Sequence, residues 1–255
     1  MTPRLFVDAA LAADAVLALP ANAARHVQVL RLQPGAALTL FDGRSGQWSA
    51  QVHQMGRKEV RVQVLAHQAR ERELARAVTL APGMPANERM DGLVEKATEL
   101  GAVASCPLMC ERSLLRVTGE RAERKAEHWR AVAIAACEQS GRNRVPSVAA
   151  PQTLRDWLAT LAPPLPGELR WVLSLGADAQ SPPAWLPAAS AARQVLLLSG
   201  PEGGLSPAEE ALARAAGCMP LSLGERVLRA DTAPLAALAW LSTLPNPPDP
   251  EHAPE

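Results

Sequence analysis

The stretch LLLSGPEGGLSPAEE, residues 196–210, passes from apolar to glycine-rich to acidic and decides how this chain is read. Leu196–Leu198 suit a buried strand. Ser206, Pro207 and Glu209 announce a helix, through a side-chain cap, a proline in the first turn and a carboxylate that reaches back to form a capping box. The order is therefore strand, loop, helix. Gly200, Gly203 and Gly204 remove side chains where the backbone turns sharply or lets another molecule come close, and the helix that follows offers free N–H groups. A Walker loop would end in Gly-Lys-Ser/Thr and a dinucleotide fingerprint would read Gly-x-Gly-x-x-Gly, and neither is present. Glu202 would repel a phosphate, so the loop fits a neutral or cationic ligand better; a tight turn without a ligand is the alternative.

A second unit follows at residues 221–241, LSLGERVLRADTAPLAALAWL. It repeats the plan: a short apolar strand, a turn at Gly224, a polar loop, and a helix starting near Thr232 with Pro234 in its first turn. Two successive units place two loops at one edge of a sheet, and in parallel α/β sheets the carboxyl edge is where ligands sit. Glu202, Glu225, Arg226, Arg229 and Asp231 cluster on these loops, either as functional groups or as a solvated charge cluster.

Upstream, the segments RLFV, ALTLFDG, QWSAQVHQM and EVRVQVLAH between Arg4 and His67 read as short strands, with ANAARHVQVLRL (21–32) as the helical element. This predicts a small β-rich module over residues 1–70. HQARERELAR (67–76) is a plausible hinge. From AVTLAPG onward strands alternate with helices, which argues for an α/β domain with a mainly parallel sheet over residues 75–244. The helix ERMDGLVEKATELG puts Met90, Leu93, Val94, Ala97 and Gly101 on one face, and the run from Gly119 to Gly141 puts Trp129, Val132, Ala133, Ala136, Cys137 and Ser140 on another. Its outward charges, Arg121, Arg124, Lys125 and Arg130, read as a solvated face. Arg142 and Arg144 then stand on a loop without compensating acids, which favours phosphate contacts. The tail, residues 245–255, is proline-rich and acidic and is expected to be disordered.

With 255 residues, 48% of them hydrophobic, the chain supports a sizeable core. Its formal net charge is zero, so nucleic-acid binding must rest on local basic patches. Two Phe and no Tyr argue against an aromatic base-stacking platform of the RRM kind. The four cysteines make no Cys-x-x-Cys pair and have no histidines at zinc spacing, so a reduced, intracellular protein without a metal is expected. The first residues have a faint signal-peptide look, but Asp8 and Asp14 interrupt it, and no apolar run approaches the length of a membrane helix.

SGPEGGLSPAEE followed by LSLGERVLRADTA, preceded by EKATELGA and AACEQSGRNRVP, resembles the bacterial 16S ribosomal RNA uridine-N3 methyltransferases of the SPOUT superfamily. RLFV and RHVQVLRLQPGAALTLFDG are similar to that family's small PUA-like β-barrel. The resemblance covers nearly all of the chain except the tail. It implies a C-terminal α/β domain threaded into a trefoil knot, S-adenosylmethionine as the cofactor, a homodimer in the cytoplasm and the small ribosomal subunit as partner. It maps the cofactor pocket onto Leu198, Ser199, Gly200, Pro201, Glu202, Gly203 and Gly204, and onto Leu223, Gly224, Arg226, Val227, Leu228, Arg229 and Thr232. Glu225 and Asp231 depart from the family pattern, the latter being one methylene shorter than the glutamate often found there.

Uridine N3 is a poor nucleophile until its proton leaves, so such an enzyme must stabilise an anionic uracil in line with the methyl group. Arg229 and then Arg226 are the candidates for that electrostatic role, and Asp231 or Glu202 for proton acceptor or arginine orienter. An ion pair of either arginine with Glu202, Glu225 or Asp231 is the structural alternative. Arg25, His26 and Arg31 of the β-rich module, with Arg142 and Arg144, are the candidates for gripping RNA. Two other functions stay open: a related enzyme methylating another RNA atom, and a non-catalytic RNA-binding assembly factor with the same fold.

Overall fold

The computed structural model describes residues 2–44, 46–57, 59–86 and 89–248. Packing divides the chain into two units, residues 1–73 with 134–145, and residues 74–133 with 146–255.

The first unit holds β1 (Arg4–Phe6), β2 (Val16–Ala18), α1 (Ala21–Val29), β3 (Ala37–Phe41), β4 (Gln47–Met55) and β5 (Val60–Gln68). They form a five-stranded sheet in the order β1-β3-β4-β5-β2, antiparallel except for the parallel pairing of β1 with β3. Alternation drives this arrangement: Leu38, Leu40, Ala50, Val52, Val60, Val62 and Val64 all turn to one core, which Ala23, Ala24 and Val27 of α1 cover. Each such aliphatic side chain contributes about 1.5–3 kcal/mol by leaving water.

The second unit runs β6 (Ala77–Pro82), α2 (Arg89–Glu99), β7 (Ala104–Ser105), β8 (Leu108–Met109), α3 (Glu120–Ser140), β9 (Ser147–Val148), β10 (Gln152–Thr153) and α4 (Leu154–Thr160). It continues with β11 (Glu168–Leu173), α5 (Pro182–Ala191), β12 (Gln194–Ser199), α6 (Pro207–Ala215), β13 (Met219–Leu221) and α7 (Thr232–Ser242). Six strands make an all-parallel sheet in the order β13-β11-β12-β6-β7-β9, so β13, β11 and β12 are neighbours. β8 and β10 pair separately. The central strands are continuous apolar runs because helices cover both faces: Leu80, Trp171, Leu197, Leu221 and Leu238 share one cluster, and Leu108, Val172, Leu198 and Ala213 another.

Met90, Leu93, Val94 and Ala97 of α2 are buried as their spacing requires. The last turns of α3 belong to the first unit, where Cys137 packs on Phe6 and Phe41 and Glu138 accepts a hydrogen bond from the Phe6 N–H at 3.0 Å. The expected tail at 245–255 is described only as far as residue 248; the rest lies outside the described residues. Its first part is tied down, with the carbonyls of Pro245 and Pro248 accepting hydrogen bonds from Arg76 and Arg193.

Candidate active site

Three adjacent parallel strands end at one edge, and the loops that leave them enclose a cavity of about 690 Å3. β11 contributes Leu173–Gly176, β12 contributes Ser199–Leu205, and β13 contributes Leu221 together with residues from Leu223 to Ala230.

In the β12 loop the sequence dictates the shape. A Cβ on Gly200 would lie 2.7 Å from the Leu205 nitrogen and 2.8 Å from the Gly204 carbonyl carbon, so the loop doubles back on itself only because Gly200 has no side chain. The Gly204 N–H closes the turn on the Pro201 carbonyl at 2.8 Å. The capping box then launches α6: Ser206 Oγ accepts from the Glu209 N–H at 3.2 Å and Glu209 Oε2 accepts from the Ser206 N–H at 2.9 Å. In the β13 loop Gly224 adopts φ +100°, and the Arg229 carbonyl accepts from the N–H groups of Thr232 and Ala233, which starts α7.

Of the residues expected to bind a cofactor, Ser199, Gly200, Pro201, Gly203 and Gly204 line the cavity, and so do Leu223, Gly224, Val227 and Leu228. Leu198 does not line it, being fully buried in the core beneath, and neither does Thr232, which is exposed at the start of α7. Of the expected catalytic residues, Glu202, Arg226 and Arg229 line the cavity and Asp231 does not. The charges on the two loops do not pair with one another. Glu202 Oε1 accepts from the Ala86 N–H at 2.9 Å and lies 3.6 Å from Arg89 Nη1. Among the described residues, neither Arg226 nor Arg229 enters an ion pair, and both are exposed. Asp231 makes no cap hydrogen bond, and its Oδ1 is buried without a partner among the described residues.

Sequence reasoning missed the third loop and one wall. Glu210 lines the cavity and accepts from Ser174 Oγ at 2.8 Å and from Arg214 Nη2 at 2.7 Å. Arg214 also reaches Asp178, whose carboxyl it holds below its ordinary value. The available signal was WVLSLG, an apolar run closed by Gly176 on the same plan as the other two loops. Arg112, which also lines the cavity, gave no such signal, because it comes from a distant, irregular segment.

The expected RNA contacts divide. Arg25, His26 and Arg31 are exposed on α1 and at its end, with His26 Nδ1 3.9 Å from Glu138 Oε2. Arg31 ends the helix at φ +53°, a left-handed conformation that glycine usually takes. Arg144 is exposed. Arg142 is corrected: it is 2% exposed, its Nε donates to Glu73 Oε1 at 3.2 Å and its Nη2 donates to Glu73 Oε2. The compensating acid was invisible because it sits in the hinge, far away in sequence. No group of three or more metal-binding side chains occurs among the described residues.

A parallel α/β sheet with a three-loop pocket at its carboxyl edge, in a chain that also carries a small β unit, defines a two-unit α/β protein built to hold a ligand at its strand ends. The family described as RNA methyltransferase domain matches residues 72–242, and the one described as RNA methyltransferase PUA domain matches residues 19–65. Ribosomal RNA small subunit methyltransferase E of Synechocystis sp. is 36% identical over 96% of this chain and 78% of its own length. The protein of that name from Bacillus subtilis is 30% identical over 85% of each chain. A crystal structure of a ribosomal RNA small subunit methyltransferase E from Neisseria gonorrhoeae bound to S-adenosyl methionine superposes with a TM-score of 0.87 at 32% identity, covering 95% of this chain and 98% of that one. The chain belongs to the ribosomal RNA small subunit methyltransferase E family.

Proposed function

We propose that this protein methylates N3 of a specific uridine in the 16S rRNA of the small ribosomal subunit, using S-adenosylmethionine held in the three-loop pocket. The observation that carries the reading is the pocket itself, formed by the segments that mark the family. Its residues fit the cofactor: about 690 Å3 accommodates a molecule of that size, and Leu173, Leu223 and Leu228 provide apolar walls. The close backbone turn at Gly200 exposes peptide groups, and Ser199, which lines the cavity, keeps a buried hydroxyl without a partner among the described residues. The Glu210 carboxylate in the wall tolerates a cation.

When bound, S-adenosylmethionine supplies an electrophilic methyl group on a cationic sulfur. The chain's own task is to bring uridine N3 to that methyl and to stabilise the uracil anion. Arg229 and Arg226, exposed cations at the cavity wall, face no competing acid in an ion pair among the described residues and so keep their charge available for the uracil carbonyl oxygens. Glu202 lines the cavity, engaged by Ala86 and Arg89, and is the candidate proton acceptor, whereas Asp231, which lies off the cavity two residues after Arg229, is left the role of arginine orienter. Arg25, His26, Arg31 and Arg144 serve the RNA phosphates. The same reading includes a cytoplasmic homodimer, supported by Leu175 and Val227, which are 67% and 79% exposed at the pocket. It also includes a knotted C-terminal path, in keeping with β13, which follows β12 in the chain, crossing past β11 to pair on its far side.

The test is calorimetric titration with S-adenosylmethionine of the wild type and of Gly200→Val, followed by methyl transfer to small subunits that lack the modification. Binding by the wild type, its loss in the variant and chromatographic identification of N3-methyluridine are expected. No binding to the wild type sinks the cofactor reading, and methylation at another atom sinks the N3 assignment.

A further inference from the structure

Gly203 to Leu205 lie between β12 and α6, where no sheet ladder or helix fixes the backbone. Arg112 does so from outside. Its Nη1 donates to the Gly203 carbonyl at 2.9 Å and to the Leu205 carbonyl at 3.2 Å. Its aliphatic stem fills the space beside Gly203: a Cβ on that glycine would lie 2.9 Å from Arg112 Cβ. One residue away, the Glu111 N–H donates to Glu209 Oε1 at 2.8 Å, and Glu209 is 6% exposed. The supporting segment is itself braced: the Cys110 N–H donates to Ser113 Oγ at 2.9 Å, and Arg116 Nη2 donates to the Glu111 carbonyl at 3.0 Å.

We infer that Arg112 is a positioning residue which pre-forms the S-adenosylmethionine pocket by holding the Gly203–Leu205 backbone in its ligand-ready shape. The inference rests on the cofactor reading of the pocket. Hydrogen bonds from a charged donor are stronger than neutral ones, and a guanidinium that bridges two carbonyls restricts both peptide planes at once. A loop ordered before the ligand arrives leaves less entropy to be lost on binding, so the clamp acts on affinity through preorganisation. Arg112 also lines the cavity, so loosening the loop changes the pocket directly.

The test compares wild type, Arg112→Met, which keeps the stem and removes the donors, and Arg112→Lys, which restores one cationic donor. Three readouts are taken: amide hydrogen exchange at Gly203, Gly204 and Leu205 without ligand, the dissociation constant for S-adenosylmethionine, and the thermal midpoint. Expected for Arg112→Met are roughly tenfold faster exchange confined to those amides and roughly tenfold weaker binding, with partial rescue by lysine. Unchanged exchange at those amides, acceleration spread evenly through the protein, or unchanged affinity despite a loosened loop each overturns the inference. If the wild type binds no S-adenosylmethionine, the cofactor reading fails and takes this role with it. The exchange data then still tell a loop clamp from an idle contact, so the two failures are told apart.

Discussion

Arg142 and Arg144 are two positions apart and do different work, and only burial tells them apart. The Arg142 side chain is 3% exposed and forks onto Glu73, which is 14% exposed, so removing it leaves an uncompensated carboxylate in a desolvated place. Removing one partner of a buried pair costs about 3–5 kcal/mol. Arg142→Met is therefore expected to lower the urea midpoint sharply and to impair RNA binding only through misfolding. Arg144 is exposed. Arg144→Ala is expected to change stability by less than about 0.5 kcal/mol and to weaken RNA binding at all sequences alike, lowering the salt-dependence slope by about one. Urea titrations beside RNA affinities at several salt concentrations decide the matter, and a destabilised Arg144→Ala with unaltered salt dependence would reverse the assignment. Both arginines look alike in sequence because burial depends on Glu73, a contact between residues far apart in the chain.

At the scale of elements, α6 shows how a local rule acquires a tertiary consequence. The capping box at Ser206 and Glu209 was legible because Ser-x-x-Glu needs only neighbouring residues to form. What sequence could not show is that Glu209 has a second task, accepting from the Glu111 N–H with its other oxygen. Ser206→Ala removes one cap acceptor and is expected to cost about 1 kcal/mol. Glu209→Ala leaves two N–H groups without their acceptor and is expected to cost about 2 kcal/mol or more, with weaker cofactor binding as well, since the support of the glycine loop loosens. Equal losses in the two urea titrations would show that Glu209 is a cap and nothing else. The same contrast explains the rest of the site. The β12 and β13 loops were readable from their glycines, caps and apolar strands, whereas Arg112 comes to the pocket from another segment. β2 has only three residues and carries no alternation strong enough to announce itself.

For the whole molecule, the change of pattern near residue 70 is what sequence offers on domain organisation, and it carries no sign that the end of α3 is grouped with the first unit and its beginning with the second. Its helical periodicity runs on without a break, so nothing local marks where Cys137 leaves one unit for the other. Burial of thiols in both units has a measurable global effect. Desolvation pushes the Cys110 and Cys137 thiols up to about 12 and Cys218 up to about 11, from an ordinary value of 9.0. These groups stay neutral in the folded chain while the unfolded chain begins to ionise near pH 9. Their contribution is therefore intact below about pH 9 and declines as the pH climbs toward the folded values, by at most about 1.4 kcal/mol per thiol per pH unit. The chain has no tyrosine, so that window carries no phenol titration. Urea midpoints between pH 7 and 10.5 are expected to be flat and then to fall for the wild type, and to fall less steeply for the variant with Cys110, Cys137 and Cys218 all replaced by alanine. The difference in slope isolates the thiols whatever the cavities cost at neutral pH, and parallel curves would show that buried cysteines do not set the alkaline limit of this fold.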